Sequence, residues 1–272
     1  MAIKYTTQGL LIYTTIAAYL LACAAMLWHG HLGRVFTGWK PVPRHIFFTL
    51  GFLFGCVSIT YRWFDVGHIP MQNLFEVFLL LGALVYPISV FCNRVLRVGG
   101  VAADMLTGAI VLFPAGFIFS AEPQQLPPAL QSWLFAPHVF VYMLSYVLMT
   151  KAAIQAISQL TARQTIGNSI EPEQATYRMV CAGFPLSTLG LLLGSVWGQL
   201  AWADWWGWDP KELWSLASLL VYVGYFHFRY MFGKKYPRIN SLWVITGLAV
   251  IIITLLWVNL SSIFPGLHTY AM

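Results

Sequence analysis

Apolar segments long enough to cross a lipid bilayer recur along this chain, and they restrict its fold more than any other feature. We place eight of them, near residues 8–28, 45–63, 73–92, 101–120, 138–158, 180–200, 212–232 and 242–262. A membrane-spanning helix needs roughly 17–25 apolar residues, and a helix satisfies its own backbone hydrogen bonds where no water is present. The pattern therefore predicts an all-α polytopic membrane protein with about eight transmembrane helices in a single membrane domain over residues 1–272.

The composition and the connections between these segments agree with a membrane protein. Hydrophobic residues make up 59% of the chain and charged residues only 9%, whereas a soluble domain carries about 25% charged residues. The first residues, MAIKYTTQG, lack a strongly basic start and a small-residue cleavage site, so we expect a retained first helix. We expect the proline-rich segment 120–137 to be irregular and residues 159–179 to form the one long polar connection.

The distribution of lysine and arginine predicts the orientation in the membrane. The loops and helix ends after the first, third, fifth and seventh segments hold 12 of the 15 basic residues, leaving only Lys4, Arg62 and Lys211 on the other side. Because basic residues concentrate in cytoplasmic loops, we expect both termini and the loop near residue 203 to face outward. The net charge of +6 is explained by this bias and requires no nucleic-acid partner.

Half of the 12 tryptophans lie in one short stretch, residues 197–214, which we call the tryptophan segment and which reads WGQLAWADWWGWDPKELW. Indole rings provide broad flat surfaces with one N–H donor at the edge, and they also favour membrane interfaces. An interfacial belt is one interpretation, but a belt spreads over the ends of many helices, whereas this cluster occupies a single loop. The pattern favours an external surface for a large, flat, apolar ligand.

Three of the seven histidines lie where they could bind such a ligand. His138 opens the fifth segment and His268 follows the eighth, both on the predicted outward side, while His227 lies within the seventh segment. Ionisable residues inside a bilayer are rare and usually functional, although a hydrogen-bonded core histidine is an alternative for His227. Two neutral imidazoles beside a flat aromatic surface suit axial ligation of haem iron. Zinc usually takes three or four protein ligands, and a quinone or lipid site is an alternative to haem.

The four cysteines indicate neither redox chemistry nor a zinc site. They lie far apart in apolar surroundings, and none forms a CxxC pair; they are Cys23, Cys56, Cys92 and Cys181. We therefore expect buried, unreactive thiols at all four positions.

Several motifs resemble those of one family of membrane proteins. WGQLAWADWWGWDPKELWSL resembles the tryptophan-rich WWD signature of the haem-handling proteins of cytochrome c maturation. Its DPKE form is similar to the CcsA (ResC) branch of the System II pathway. Other segments resemble further parts of that branch, namely GHIPMQNLFEVFLL, PHVFVYMLSY, YFHFRY and VNLSSIFPGLHTYA. Together the motifs cover roughly residues 66–272.

The resemblance implies roles for particular residues. His138 and His268 would be the external axial ligands of the iron of haem b, and His227 would be a transmembrane iron ligand that receives haem on its way outward. The haem would lie on a platform formed by Trp202, Trp205, Trp206, Trp208 and Asp209. No general acid or base is implied, so the catalytic residues stay unassigned.

The resemblance also implies an activity, partners and a location. The chain would be a subunit of a cytochrome c synthase, a haem lyase that exports haem and presents it for thioether attachment to the CxxCH motif of apocytochrome c. A CcsB (ResB)-like membrane partner would supply a second transmembrane histidine. The protein would lie in a bacterial cytoplasmic (inner) membrane or a thylakoid membrane, with the site on the periplasmic or lumenal side. Two alternatives are a haem chaperone like CcmC, which forms no thioethers, and a transporter of another flat ligand such as a quinone.

Overall fold

Helices provide all the regular structure in the parts of the chain that the structure describes. The computed structural model describes residues 6–32, 46–161 and 170–260. Within these ranges the long helices are α1 Thr7–Leu32, α2 Ile46–Val66, α3 Leu74–Phe91, α4 Val101–Phe117, α5 Phe135–Leu160, α6 Pro172–Trp202, α7 Pro210–Phe232 and α8 Pro237–Ile252. Shorter helical turns follow α3 at Cys92–Leu96, precede α5 at Pro128–Leu130, and extend α8 through Ile253–Trp257 and Val258–Leu260.

Each predicted apolar segment coincides with one of these helices, which confirms the all-α polytopic architecture. Among the described residues, six stretches are long and apolar enough to cross a membrane: Thr7–Trp28, Ile46–Val66, Leu74–Leu96, Phe135–Leu160, Pro172–Trp202 and Pro237–Leu260. Helix α4, with 17 residues, is shorter. Helix α7, which contains Lys211, Glu212 and Arg229, is not among the six. The total of eight membrane-spanning helices stays a prediction.

The expectation of a long polar connection over residues 159–179 is wrong in part. Helix α5 continues to Leu160 and α6 already begins at Pro172, where proline is tolerated because the first helical N–H needs no partner within the helix. The polar first turn of α6 is held by Glu173, whose carboxylate accepts hydrogen bonds from Arg229 of α7 at 2.9 Å and Asn240 of α8 at 3.4 Å. By contrast, the proline-rich segment 120–137 is irregular as predicted over residues 120–127, but it also contains the short turn Pro128–Leu130 and the first residues of α5, which begins at Phe135.

The chain divides into two helical units, of which the first contains α1–α4. In this unit α1 packs against α2 and α4, and α3 packs against the same two helices. The buried ring of Tyr19 lies near the ring of Phe48, and its hydroxyl donates to the carbonyl oxygen of Gly82 at 3.2 Å. These contacts join α1, α2 and α3 into one core. The prediction of a single membrane domain stays a prediction.

One end of the first unit contains a buried ion pair. The guanidinium of Arg62 lies 3.0 Å from the carboxylate of Glu76, and both side chains are only 1% exposed. Arg62 also donates to the backbone oxygen of Ala121 at 2.6 Å. The other oxygen of Glu76 accepts from the backbone of Gln72, and Asn73 caps the start of α3 by accepting from the backbone of Glu76. The pair therefore joins α2, the start of α3 and the segment after α4.

The second unit contains α5–α8. Helix α5 packs against α6 and α8, and α7 packs against α6 and α8. One end of this unit holds the Glu173–Arg229 pair, where the guanidinium also lies 3.6 Å from the ring centroid of Tyr177. The expectation that all four cysteines are buried is correct only for Cys23 and Cys92, because Cys56 is half-buried and Cys181 of α6 is exposed.

Candidate functional site

The tryptophan segment begins in the last turns of α6 with the buried residue Trp197. Trp197 is only 2% exposed, and its Nε1 donates to the carbonyl oxygen of Ala129 at 3.0 Å. The ring of Trp202, one turn further on, lies edge-on to Trp197 with centroids 4.8 Å apart. The loop before α5 and the end of α6 are therefore joined through one indole.

His138 lies in the first turn of α5, in contact with Trp197. Its ring is stacked on Trp197 with centroids 5.7 Å apart, and the ring of Tyr142 lies perpendicular to it with centroids 5.2 Å apart. The Nδ1 atom lies 2.8 Å from the carbonyl oxygen of Gly190 in α6. Because a carbonyl oxygen only accepts hydrogen bonds, Nδ1 carries a proton, and in the neutral ring the lone pair lies on Nε2.

The loop between α6 and α7 presents two exposed indoles. Trp205 is 57% exposed and Trp208 is 66% exposed. The loop turns through two residues with left-handed backbones, Ala203 at φ 60° and Trp208 at φ 55°. A hydrogen bond from Ser195 Oγ to the carbonyl oxygen of Trp205, at 2.8 Å, ties the loop to α6. The loop is thus tied to α6 and leaves two indole rings exposed.

Trp206 differs from its two exposed neighbours. Its ring is partly buried and lies perpendicular to that of Trp208, with centroids 6.0 Å apart. Its backbone N–H donates to Asp204 at 3.2 Å. Its indole Nε1 is buried without a hydrogen-bond partner among the described residues. A buried donor without a partner costs free energy, so this atom marks a place where a ligand acceptor would be stabilised.

Asp209 is buried and caps the start of α7. Its Oδ1 accepts from the backbone of Lys211 at 2.9 Å, and the carboxylate of Glu212 accepts from the backbone of Asp209 at 3.1 Å. This reciprocal arrangement satisfies backbone donors at the helix start. Burial lowers the pKa of Lys211 to about 8, while the neighbouring charge of Asp209 acts in the opposite direction.

His227 lies far along α7 from the tryptophan segment. It lies 17 positions after Pro210, the first residue of the helix, which is about 26 Å along the axis at 1.5 Å per residue. Its side chain is exposed, and its Nδ1 lies 2.9 Å from the carbonyl oxygen of Val223. The described geometry therefore places His138 against Trp197, with Trp202 next to Trp197, and it keeps His227 apart from them. His268, the other predicted ligand, lies outside the described residues.

The sequence does not by itself identify several residues that contact His138. Trp197, Tyr142, Gly190 and Gly194 surround the imidazole of His138 but were not predicted as site residues. A usable signal was the spacing of Gly190, Gly194 and Gly198, which places three glycines on one side of α6. Among the described residues no group of three or more His, Cys, Asp or Glu side chains could hold a metal ion.

The helices and the site together define a polytopic membrane protein in which a histidine lies beside a tryptophan-lined surface. The chain belongs to the cytochrome C assembly protein family, whose sequence model matches residues 71–265. The matched range includes His138, the whole tryptophan segment and His227, and it ends three residues before His268. Membership of this family gives the chain a role in cytochrome c biogenesis.

Similar proteins carry the name cytochrome c biogenesis protein CcsA. One from Prochlorococcus marinus (strain NATL1A) is 32% identical over 80% of this chain and 81% of its own length. Another, from Prochlorococcus marinus (strain MIT 9515), is 31% identical over 80% of each chain. A third, from Synechococcus sp. (strain RCC307), is 31% identical over 78% of this chain and 79% of its own. The resemblance to CcsA inferred from the motifs is thereby confirmed.

Proposed function

We propose that the chain binds haem b at the tryptophan segment and presents it, held by His138 and His268, for covalent attachment to apocytochrome c. The observation that carries the proposal is the position of His138, which donates from Nδ1 to Gly190 and lies against Trp197. An imidazole with its lone pair on Nε2 is the form that binds haem iron. The exposed indoles of Trp205 and Trp208 supply flat apolar surface for the porphyrin.

Two polar groups near the loop suit the carboxylate edge of haem. Trp206 offers a buried N–H donor that has no partner among the described residues. Lys211 lies in the first turn of α7, directly after the loop, and offers an ammonium group below pH 8. We expect these two side chains to contact haem propionates, and Asp209 to act through the conformation of the loop.

The reaction to be assisted is the addition of two cysteine thiols to two haem vinyl groups. In each addition the S–H bond breaks, a C–S bond forms at the vinyl carbon next to the ring, and the hydrogen ends on the outer carbon. No net oxidation takes place. The haem supplies the reactive vinyl groups, and the protein supplies binding and orientation. Holding the partners in place removes much of the entropic cost of their encounter. One protein histidine would leave the iron when the histidine of CxxCH binds.

A partner subunit is supported by the exposure of His227. An ionisable side chain on the surface of a membrane helix is costly unless another protein, lipid headgroup or ligand covers it. We expect a CcsB-like membrane protein to pack on this side of α7 and to contribute a second histidine to a transmembrane haem site. Copurification of the chain with such a partner, and its loss on His227→Leu, would support this arrangement.

The orientation of the site is part of the proposal, since apocytochrome c matures on the periplasmic or lumenal side. Reporter fusions after residues 98, 168 and 235 should behave as cytoplasmic, and fusions after residues 125, 203 and 272 as external. The expectation rests on the 12 basic residues that lie on one side of the predicted topology. External activity at residue 168 or 235 would contradict the orientation and the function that depends on it.

Purified protein tests the iron ligands directly. The full-length chain, prepared with its partner, should contain haem with the absorption spectrum of low-spin iron bound by two imidazoles. Either His138→Ala or His268→Ala should weaken binding or change that spectrum, and added imidazole should partly restore it. A double variant with unchanged haem and unchanged cytochrome maturation would rule out this ligand pair. Bound quinone without haem would support the rival ligand class.

The product distinguishes a synthase from a chaperone. In a host without its own maturation system, the chain and its partner should convert a coexpressed apocytochrome to a form with covalently bound haem. Pyridine haemochrome spectra separate thioether-linked from free haem. Transfer of haem to another protein without thioether formation would support the chaperone alternative.

A further inference from the structure

We propose that Gly190 and Gly194 of α6 are positioning residues for the iron ligand His138. The carbonyl oxygen of Gly190 fixes which ring nitrogen carries the proton, and the missing side chain of Gly194 provides the space that the imidazole occupies. This inference rests on the proposed function, because it assigns the residues that prepare His138 for iron.

The hydrogen bond between His138 and Gly190 prepares the ligand. Nδ1 lies 2.8 Å from the carbonyl oxygen, a short and well-formed contact for N–H···O. Histidines that bind metals nearly always donate their second ring N–H to a carboxylate, carbonyl or water, which fixes the ring orientation and raises the basicity of the ligand. In this chain a backbone oxygen fills that role, so no substitution at residue 190 removes the acceptor itself.

Gly194 lies one turn beyond Gly190 and faces the same imidazole. A Cβ atom built at residue 194 would lie 2.5 Å from Cε1 of His138, 2.9 Å from Nδ1 and 3.4 Å from Nε2. Carbon atoms in contact normally stay about 3.5–4.0 Å apart. Alanine at residue 194 therefore cannot coexist with the observed position of the ring.

The ring has little room to retreat from such a methyl group. Trp197 is stacked on one side, and Trp197 is itself held by its hydrogen bond to Ala129. The ring of Tyr142 lies perpendicular to the imidazole, and it packs so closely on α6 that a Cβ at Gly190 would lie 2.9 Å from it. Gly194→Ala should therefore tilt the imidazole, break the bond to Gly190 and move Nε2 away from the iron.

A matched pair of glycine substitutions in α6 tests this inference. In Gly194→Ala the methyl group would lie 2.5 Å from the imidazole, whereas in Gly183→Ala it would lie 3.1 Å from the flexible end of Met149 and 3.3 Å from Cβ of Leu148. Loss of a partner that orients a metal ligand typically weakens metal binding 10–100-fold. We expect Gly194→Ala to weaken haem binding by about that factor and to reduce the low-spin spectrum of two imidazoles, with recovery on adding imidazole. Gly183→Ala should keep haem affinity within about threefold and leave the low-spin spectrum in place.

A double-variant cycle separates positioning from a general effect on the fold. If Gly194 acts through the imidazole, Gly194→Ala should change haem affinity little once His138→Ala is present, because interacting residues are not additive. Equal losses in the presence and absence of His138 would overturn the inference. An unchanged spectrum and affinity in Gly194→Ala would also overturn it. If His138→Ala itself retains normal haem, the proposed function fails instead, which makes the two failures distinguishable.

A second measurement leaves Gly194 unchanged and needs only the His138→Ala variant. Imidazole and 1-methylimidazole both bind iron through one nitrogen, but only imidazole has an N–H to donate to Gly190. We expect imidazole to restore the spectrum at about tenfold lower concentration than 1-methylimidazole, after correction for their affinities for free haem, as one hydrogen bond can provide. Equal restoration by the two compounds would overturn the role of the Gly190 carbonyl.

Discussion

Asp209 offers a sharp test of how the tryptophan loop is held, because alanine and asparagine remove different parts of its contribution. Both substitutions remove the charge, but asparagine keeps a side-chain oxygen that can accept the hydrogen bond from Lys211, now 2.9 Å long. Alanine loses that acceptor. Replacing such a cap by alanine costs about 0.5–2 kcal/mol, whereas aspartate and asparagine are nearly equivalent caps. We therefore expect Asp209→Ala to be about 1 kcal/mol less stable locally than Asp209→Asn.

Hydrogen exchange measured by mass spectrometry on the full-length protein in lipid nanodiscs reports this difference. A local loss of about 1 kcal/mol in stability raises the rate of exchange roughly fivefold where exchange follows the equilibrium between the closed and the locally opened state. The rise should be confined to the loop and the first turn of α7, and exchange in α3 of the first unit should not change. The bond from Asp209 to Glu212 should persist in both variants, since it uses the backbone of residue 209. Equal exchange in Asp209→Ala and Asp209→Asn, within twofold, would refute the assignment of Asp209 as a helix cap.

Three further predictions concern the platform, a titrating lysine and the buried ion pair. Leucine at the exposed loop residues Trp205 and Trp208 should leave the protein in the membrane but lower its haem occupancy. Leucine at Trp28 and Trp63, two exposed tryptophans of the first unit, should not lower it. Equal haem occupancy in the two sets of variants would support an interfacial belt in place of a haem platform. The pKa of Lys211 is lowered to about 8 in the fold, so between about pH 8 and 10 the unfolded chain binds more protons and folding stability should rise with pH. Thermal unfolding should therefore show that Lys211→Met stabilises the protein more at pH 7 than at pH 9.5. The same stabilisation at both pH values would contradict the lowered pKa of Lys211. Breaking the buried pair by Glu76→Ala should cost about 3–5 kcal/mol, whereas Asp65→Ala, at the 41% exposed partner of the same arginine, should stay within about 1 kcal/mol in denaturant titrations.

The positions of the helices could be predicted because each membrane-spanning helix needs a continuous run of apolar residues, which the sequence shows directly. The seventh predicted segment begins at residue 212, within two residues of the observed start of α7 at Pro210. The start of α6 was placed eight residues too late, because hydropathy does not register the polar turn that begins at Pro172. That turn is stabilised by Arg229 and Asn240, which come from distant helices. Such long-range partners leave no local signal.

The site shows the same division between local and distant information. His138 and the loop tryptophans could be proposed as site residues from residue type and position along the chain. The tautomer of His138 could not, because it is set by Gly190, which lies 52 residues away. Nor could the different exposures of Trp197 and Trp205, which depend on how the last turns of α6 pack beneath the loop. Residue chemistry indicated the kind of site, and helix packing decided the geometry around Trp197.

The left-handed backbone of Trp208 has a consequence for anyone who engineers this protein for structural work. A non-glycine residue at φ 55° costs about 1–2 kcal/mol relative to one that tolerates this region. A screen that selects only for resistance to heat in detergent should therefore enrich glycine or asparagine at residue 208. Such variants would gain stability while they lose one of the indole faces on which haem is expected to rest. Thermostabilising campaigns on this chain should score ligand retention together with melting temperature.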